Sequence, residues 1–107
     1  MDVRIKSLLA KLTLEEKASL CSGQDFWTTK PILRLEIPEI WMSDGPHGLR
    51  RSPSREGSGL GTSLPATCFP TASALASSWN VDLLKEIGQA SGQEAQAQDV
   101  QVVLGPG

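Results

Sequence analysis

Apolar and polar positions alternate along this chain in two different rhythms. Between residues 3 and 12, Ile5, Leu8, Leu9 and Leu12 recur at helical spacing, which predicts an amphipathic helix. Thr13 then reads as an N-cap, with Glu16 three residues on completing a capping box. The helix that follows would present Leu14, Ala18 and Cys21 on one face and stop near Gly23. The charges of both helices (Arg4, Lys6, Lys11, Glu15, Lys17) read as a solvated face. Ile37 to Met42 is a short, mostly apolar run of strand-like length, and Val100 to Leu104 is a second. Between them Asn80 reads as the cap of the longest helix, about Val81 to Gln98. Its Gly88, Gly92 and Ala95 form a row of small residues, expected to let a sheet approach closely. Residues 72–79 are small and fit either a short strand or a helical turn.

The remaining segments read as loops. Residues 24–29 set Phe26 beside Trp27; Phe26 reads as core, whereas Trp27 fits either a core position or the wall of a flat ligand site. Residues 52–67, rich in Ser, Gly and Pro, read as a long connection of the functional or mobile kind. The order is helices, strand, loop, helix, strand, with no hairpin signal. That alternation predicts an α/β fold with parallel strands in a sheet or barrel. Two parallel strands need neighbours on both sides. Residues 1–107 are therefore expected to be the N-terminal portion of a larger α/β enzyme, inert and unstable when alone.

Both strands end in a Gly-Pro break. The first runs into Ser43-Asp44-Gly45-Pro46-His47-Gly48-Leu49-Arg50, where Gly45 is free to take positive φ and Pro46 restricts the residue before it. Ligands of open sheets and barrels gather at the carboxyl ends of strands. Asp44 stands there as a candidate ligand-holding carboxylate; by spacing alone a simple Asx turn cap fits equally well.

Composition narrows the class. A 107-residue chain with 39% hydrophobic and 21% charged residues is compatible with a globular fold. A net charge of −2 argues against nucleic acid as a partner, since such binders show a basic face. Arg50, Arg51 and Arg55 are too small a cluster to change that, and no aromatics are interleaved with them. No apolar run is long enough to span a bilayer, so no membrane partner is expected. The charged run from Met1 to Lys17 lacks a signal-peptide core, which implies a cytoplasmic product if Met1 is the native start. Cys21, Cys68 and His47 lack metal-ligand spacing, so no metal and no cofactor are expected, and the cysteines read as buried, inert thiols.

Ser43-Asp44-Gly45-Pro46-His47-Gly48-Leu49-Arg50 resembles the Ser-Asp-Gly-Pro-x-Gly-(Ile/Leu/Val)-Arg signature of glycoside hydrolase family 3, the β-glucosidase family. Thr13-Leu14-Glu15-Glu16-Lys17, Asp25-Phe26-Trp27, Ile37-Pro38, Cys68-Phe69-Pro70, Leu75 to Asn80, Gly92-Gln93-Glu94-Ala95 and Leu104 to Gly107 resemble further family segments, in the family's order. The resemblance covers nearly the whole chain. It implies the N-terminal fragment of a TIM-like (β/α) barrel, followed in complete members by an α/β sandwich and often a fibronectin-like domain. It also implies retaining hydrolysis of terminal β-glucosides or oligosaccharides. On that resemblance Asp44 binds hydroxyls of the glucose in the −1 subsite, and Arg50 holds the sugar or orients the aspartate. The family's nucleophile and acid/base fall outside these residues, so Asp25, Glu36, Glu39 and Glu94 are read as loop or surface charges. Xylosidases and arabinosidases of the family tend to carry Glu-Ala-Leu-His-Gly at this place, so the Asp-Gly-Pro form favours a hexose. The family's N-acetylglucosaminidases fit less well. A non-catalytic sugar-binding or packing fragment is the alternative from another class.

Overall fold

The computed structural model describes residues 2–45, 47–55 and 61–105. Readings that fall on Pro46, on part of the 52–67 loop and on Pro106-Gly107 lie outside them.

Helix α1 (Val3–Lys11) and helix α2 (Leu14–Leu20) form as their patterns predict. Asp2 caps α1, accepting the Arg4 N–H at 2.7 Å. The capping box is complete: the Glu16 N–H donates to Thr13 Oγ1 at 3.2 Å, and the Thr13 N–H donates to Glu16 Oε2 at 2.9 Å. α2 ends at Leu20, with Cys21 as its C-cap. Neither helix has a buried residue, although Leu12, just past α1, is buried.

The chain then makes antiparallel contacts that the β/α reading lacked. Single bridges join Gly23 to Thr29, Thr28 to Trp41 and Ile32 to Ile37. Inside the last of these lies a 3₁₀ turn, Leu33–Leu35, closed by Glu36 in the left-handed region at φ 55°. The first apolar run is regular only over strand β1 (Met42–Ser43), because Ile37 and Trp41 make single bridges and residues 38–40 between them are irregular. The second is regular over strand β2 (Val102–Val103).

The two strands are parallel, with Met42 opposite Val102 and Ser43 opposite Val103. The register is held at both ends. The Val102 N–H donates to the Trp41 carbonyl at 3.1 Å and the Leu104 N–H to the Ser43 carbonyl at 2.7 Å. The Trp41 N–H donates to Gln101 Oε1 at 2.7 Å. Helix α3 (Ala72–Ser77) settles the ambiguous small-residue stretch, with Thr71 as its N-cap. Helix α4 (Val81–Ala97) crosses between the strands, and the Asn80 side chain accepts the Leu83 N–H at 3.1 Å.

The core is Trp27, Trp41, Leu49, Ala95 and Val100, with Val103 packed against it. Three expectations are corrected here. Phe26 is 72% exposed while Trp27 is 7% exposed, because the Trp27 and Thr28 N–H groups donate to the Asp25 carboxylate and turn the second aromatic inward. Cys21 and Cys68 are free and exposed, not buried. Of the small-residue row on α4, Ala95 packs into the core, but a Cβ at Gly88 or Gly92 would meet nothing within 4 Å.

Candidate functional site

The site grows from the end of β1. Ser43 is fully buried, and its hydroxyl donates to the Arg50 carbonyl at 2.9 Å. The Arg50 N–H in turn donates to the Asp44 carbonyl at 3.0 Å, and the Gly48 N–H to the Gly45 carbonyl at 3.1 Å. Gly45 sits at φ 102°, a conformation side chains resist, and a Cβ there would stand 2.0 Å from the Gly48 carbonyl oxygen. A short closed loop therefore returns the chain to its starting point, six residues on.

That closure brings the two sequence-predicted residues together. Arg50 Nε donates to Asp44 Oδ1 at 2.8 Å, and Arg50 Nη2 donates to Asp44 Oδ2, a two-pronged pair. Both side chains are only partly covered, 38% exposed for Arg50 and 40% for Asp44. The hydrogen bond to Asp44, with the carboxylate's charge behind it, raises the Arg50 pKa above its already high value. The pair is a fixed acceptor-donor edge at the carboxyl end of a strand. Each Asp44 oxygen keeps lone-pair capacity beyond its arginine bond, so it can take the hydrogen of a ligand hydroxyl.

Aromatic rings back the arginines. The Arg50 guanidinium carbon lies 5.9 Å from the centre of the buried Trp27 ring, and that of Arg51 lies 3.3 Å from the Trp41 ring centre. Sequence reasoning missed both contacts. It looked for aromatics interleaved with the arginines, whereas the rings reach them from residues 27 and 41. Arg51 is the arginine that burial affects most; desolvation pulls its pKa down, with Asp99 opposing.

The other acidic residues have work elsewhere. Burial pushes the Asp25 carboxyl up, but bonds from the Trp27 N–H and the Thr28 hydroxyl and N–H outweigh it, and the net pKa is lowered. Glu39 is bonded by Arg55, which lowers its pKa. Glu36 closes the 3₁₀ turn, and Glu94 accepts from Thr67. Among the described residues no group of three or more His, Cys, Asp and Glu is placed to hold a metal ion.

A family model described as the glycosyl hydrolase family 3 N-terminal domain matches residues 13–107. The chain belongs to glycosyl hydrolase family 3. A thermostable beta-glucosidase B of Acetivibrio thermocellus is 54% identical over 108 residues, which take in 100% of this chain and 14% of that protein. An exo-alpha-(1->6)-L-arabinopyranosidase of Bifidobacterium longum is 49% identical over 98 residues, 90% of this chain and 13% of its own length. The crystal structure of a beta-glucosidase from Kluyveromyces marxianus in complex with glucose superposes with a TM-score of 0.85 at 40% identity, covering 95% of this chain and 12% of that one. The chain thus spans about a seventh of the length of the curated family 3 relatives it matches. Its helices and parallel strand pair are part of a TIM-like (β/α) barrel, the N-terminal domain of those structural neighbours.

Proposed function

We propose that residues 1–107 are the opening part of a retaining, exo-acting β-glucosidase barrel, and that Asp44 and Arg50 supply part of its −1 glucose subsite. The observation that carries this reading is the two-pronged Asp44–Arg50 pair, half-open at the carboxyl end of β1. A carboxylate with both oxygens anchored has its remaining acceptor directions set in advance, which suits two neighbouring sugar hydroxyls. The glucose-bound Kluyveromyces relative supports the sugar as ligand.

Retaining hydrolysis needs a nucleophile and an acid/base carboxyl about 5–5.5 Å apart. Asp25, Glu39 and Glu94 are each tied to other partners, and Glu36 closes an exposed turn. The two reacting carboxyls belong to the rest of the enzyme, and Asp44 holds the sugar without cutting it. In the full-length protein, Asp44→Ala removes two charged hydrogen bonds of about 1.5–3 kcal/mol each, so kcat/KM for a nitrophenyl β-glucoside falls at least about a hundredfold. Unchanged kinetics in a well-folded Asp44→Ala protein would rule the subsite assignment out.

The Bifidobacterium relative supports a second reading, an exo-acting arabinopyranosidase. L-Arabinopyranose lacks the hydroxymethyl group of glucose. Side-by-side kcat/KM values for nitrophenyl β-glucoside and nitrophenyl α-L-arabinopyranoside decide between the two.

A further inference from the structure

The turn that joins Asp44 to Arg50 does not stand by itself. Its outer side leans on the segment from Thr67 to Phe69. A Cβ on Gly48 would lie 2.7 Å from the Thr67 carbonyl oxygen, so the two backbones are in direct contact. One residue earlier in the turn, the His47 carbonyl accepts the Phe69 N–H at 2.6 Å. The supporting segment has no regular structure from Gly61 to Thr71, so its place depends on individual bonds.

Those bonds come largely from one face of α4. Glu94 Oε1 accepts both the Thr67 N–H at 3.0 Å and the Thr67 hydroxyl at 2.6 Å, and Oε2 takes a weaker share of the same N–H at 3.4 Å. Gln98, one helical turn on and so on the same face, donates from Nε2 to the Pro65 carbonyl at 3.3 Å. Near the start of the segment the Leu64 N–H donates to the Arg51 carbonyl at 2.8 Å. Of these attachments the Glu94 bonds to Thr67 are the ones next to the Gly48 contact. It also sits beside Ala95, a core residue, so its backbone is anchored where its side chain is reaching outward.

We propose that Glu94 is a positioning residue for the Asp44–Arg50 pair, acting through Thr67 and the turn at Gly48. Cutting the Glu94 bonds frees Thr67 to move, and the turn loses the wall that sets the separation of Asp44 and Arg50. Small misplacements of binding groups are costly in rate, while exposed hydrogen bonds contribute little to stability. The inference rests on Asp44 and Arg50 binding the sugar.

The test uses the full-length enzyme and a nitrophenyl β-glucoside, with kcat, KM and the melting temperature read for each variant. Glu94→Ala lowers kcat/KM about tenfold or more, within the range known for displaced binding groups, while the melting temperature stays near that of the parent. Glu94→Gln restores most of the loss, because the two shorter Thr67 bonds end on one oxygen that an amide also supplies, and only the 3.4 Å contact to Oε2 is given up. In an Asp44→Asn background, Glu94→Ala adds little further loss, since its route runs through the same pair. If Glu94→Ala does not fold, Thr67→Val removes the hydroxyl bond alone and gives a smaller loss of the same kind. A lowered melting temperature with kcat/KM unchanged, no rescue by glutamine, or fully additive losses with Asp44→Asn would each overturn the proposal. Full activity of Asp44→Ala would instead strike down the sugar-binding reading beneath it, so the two failures are distinguishable.

Discussion

Gly45 is the residue on which the site's geometry turns most sharply. Its φ of 102° and the 2.0 Å approach that a Cβ would make to the Gly48 carbonyl leave no conformation for alanine in this loop. Gly45→Ala should therefore destabilise the full-length protein by about 1–3 kcal/mol, read by denaturant titration, and, under the proposed function, weaken glucoside hydrolysis with it. A stable, fully active Gly45→Ala protein would mean the loop is set by something else. Gly48 differs: its problem is the Thr67 carbonyl at 2.7 Å, not its own backbone. Arg50 as the partner of Asp44 was legible only through the family resemblance; the turn that closes the pair over six residues came from the structure. Phe26 and Trp27 show where such reading stops. Of these adjacent loop aromatics Phe26 read as core and Trp27 was left open, yet the Asp25 carboxylate, accepting from the Trp27 and Thr28 N–H groups, sends Phe26 outward and Trp27 into the core.

Among the elements, α2 joins a legible feature to an illegible one. Its capping box lies within four consecutive residues and was plain from their order. The same Glu16 also bonds Arg34, eighteen positions on, and Arg34 Nη2 donates to the Lys11 carbonyl at 2.8 Å. Nothing local in the sequence marks that link, because the chain between must first fold back. The Arg34 bond, followed by the Thr13 backbone bond, pulls the Glu16 pKa from 4.5 down to about 2. Because the folded value lies below the unfolded one, protonation favours unfolding. The contribution is whole above 4.5 and drains away as pH falls towards 2. Melting temperature measured from neutral pH into that acid range should drop further for the parent than for Glu16→Gln, which has no carboxyl to titrate. Parallel curves would show that the Arg34 link contributes nothing to folding. α4 was equally legible in extent, from its Asn80 cap to its end. The use of its glycines was not, since small residues permit a close neighbour without supplying one.

For the whole molecule, the parallel pairing of β1 with β2 was inferred from alternation alone, and the structure agrees; the three antiparallel bridges of residues 23–41 were missed because single bridges leave no periodic pattern. What stands out at this scale is how little of the apolar surface is covered. Leu14, Phe26, Leu33, Trp79 and Val81 are each more than 70% exposed. Gly88 and Gly92 line an open cleft of about 510 Å³, walled by Leu75, Leu84, Ile87 and Val103. The radius of gyration is 16.8 Å, against about 13 Å expected for a compact domain of this length. A two-stranded sheet leaves strand edges unpaired, and small domains are marginal even when well packed. Residues 1–107 alone should therefore lose helical circular dichroism gradually on heating, with no sharp transition, and should bind a hydrophobic dye. The full-length enzyme should melt cooperatively and bind little of it. A sharp melt of the isolated segment without dye binding would show that the Trp27–Trp41–Ala95–Val100 core is sufficient by itself. The site would then be held by this segment, and Asp44 and Arg50 would be paired before the rest of the barrel closes around them.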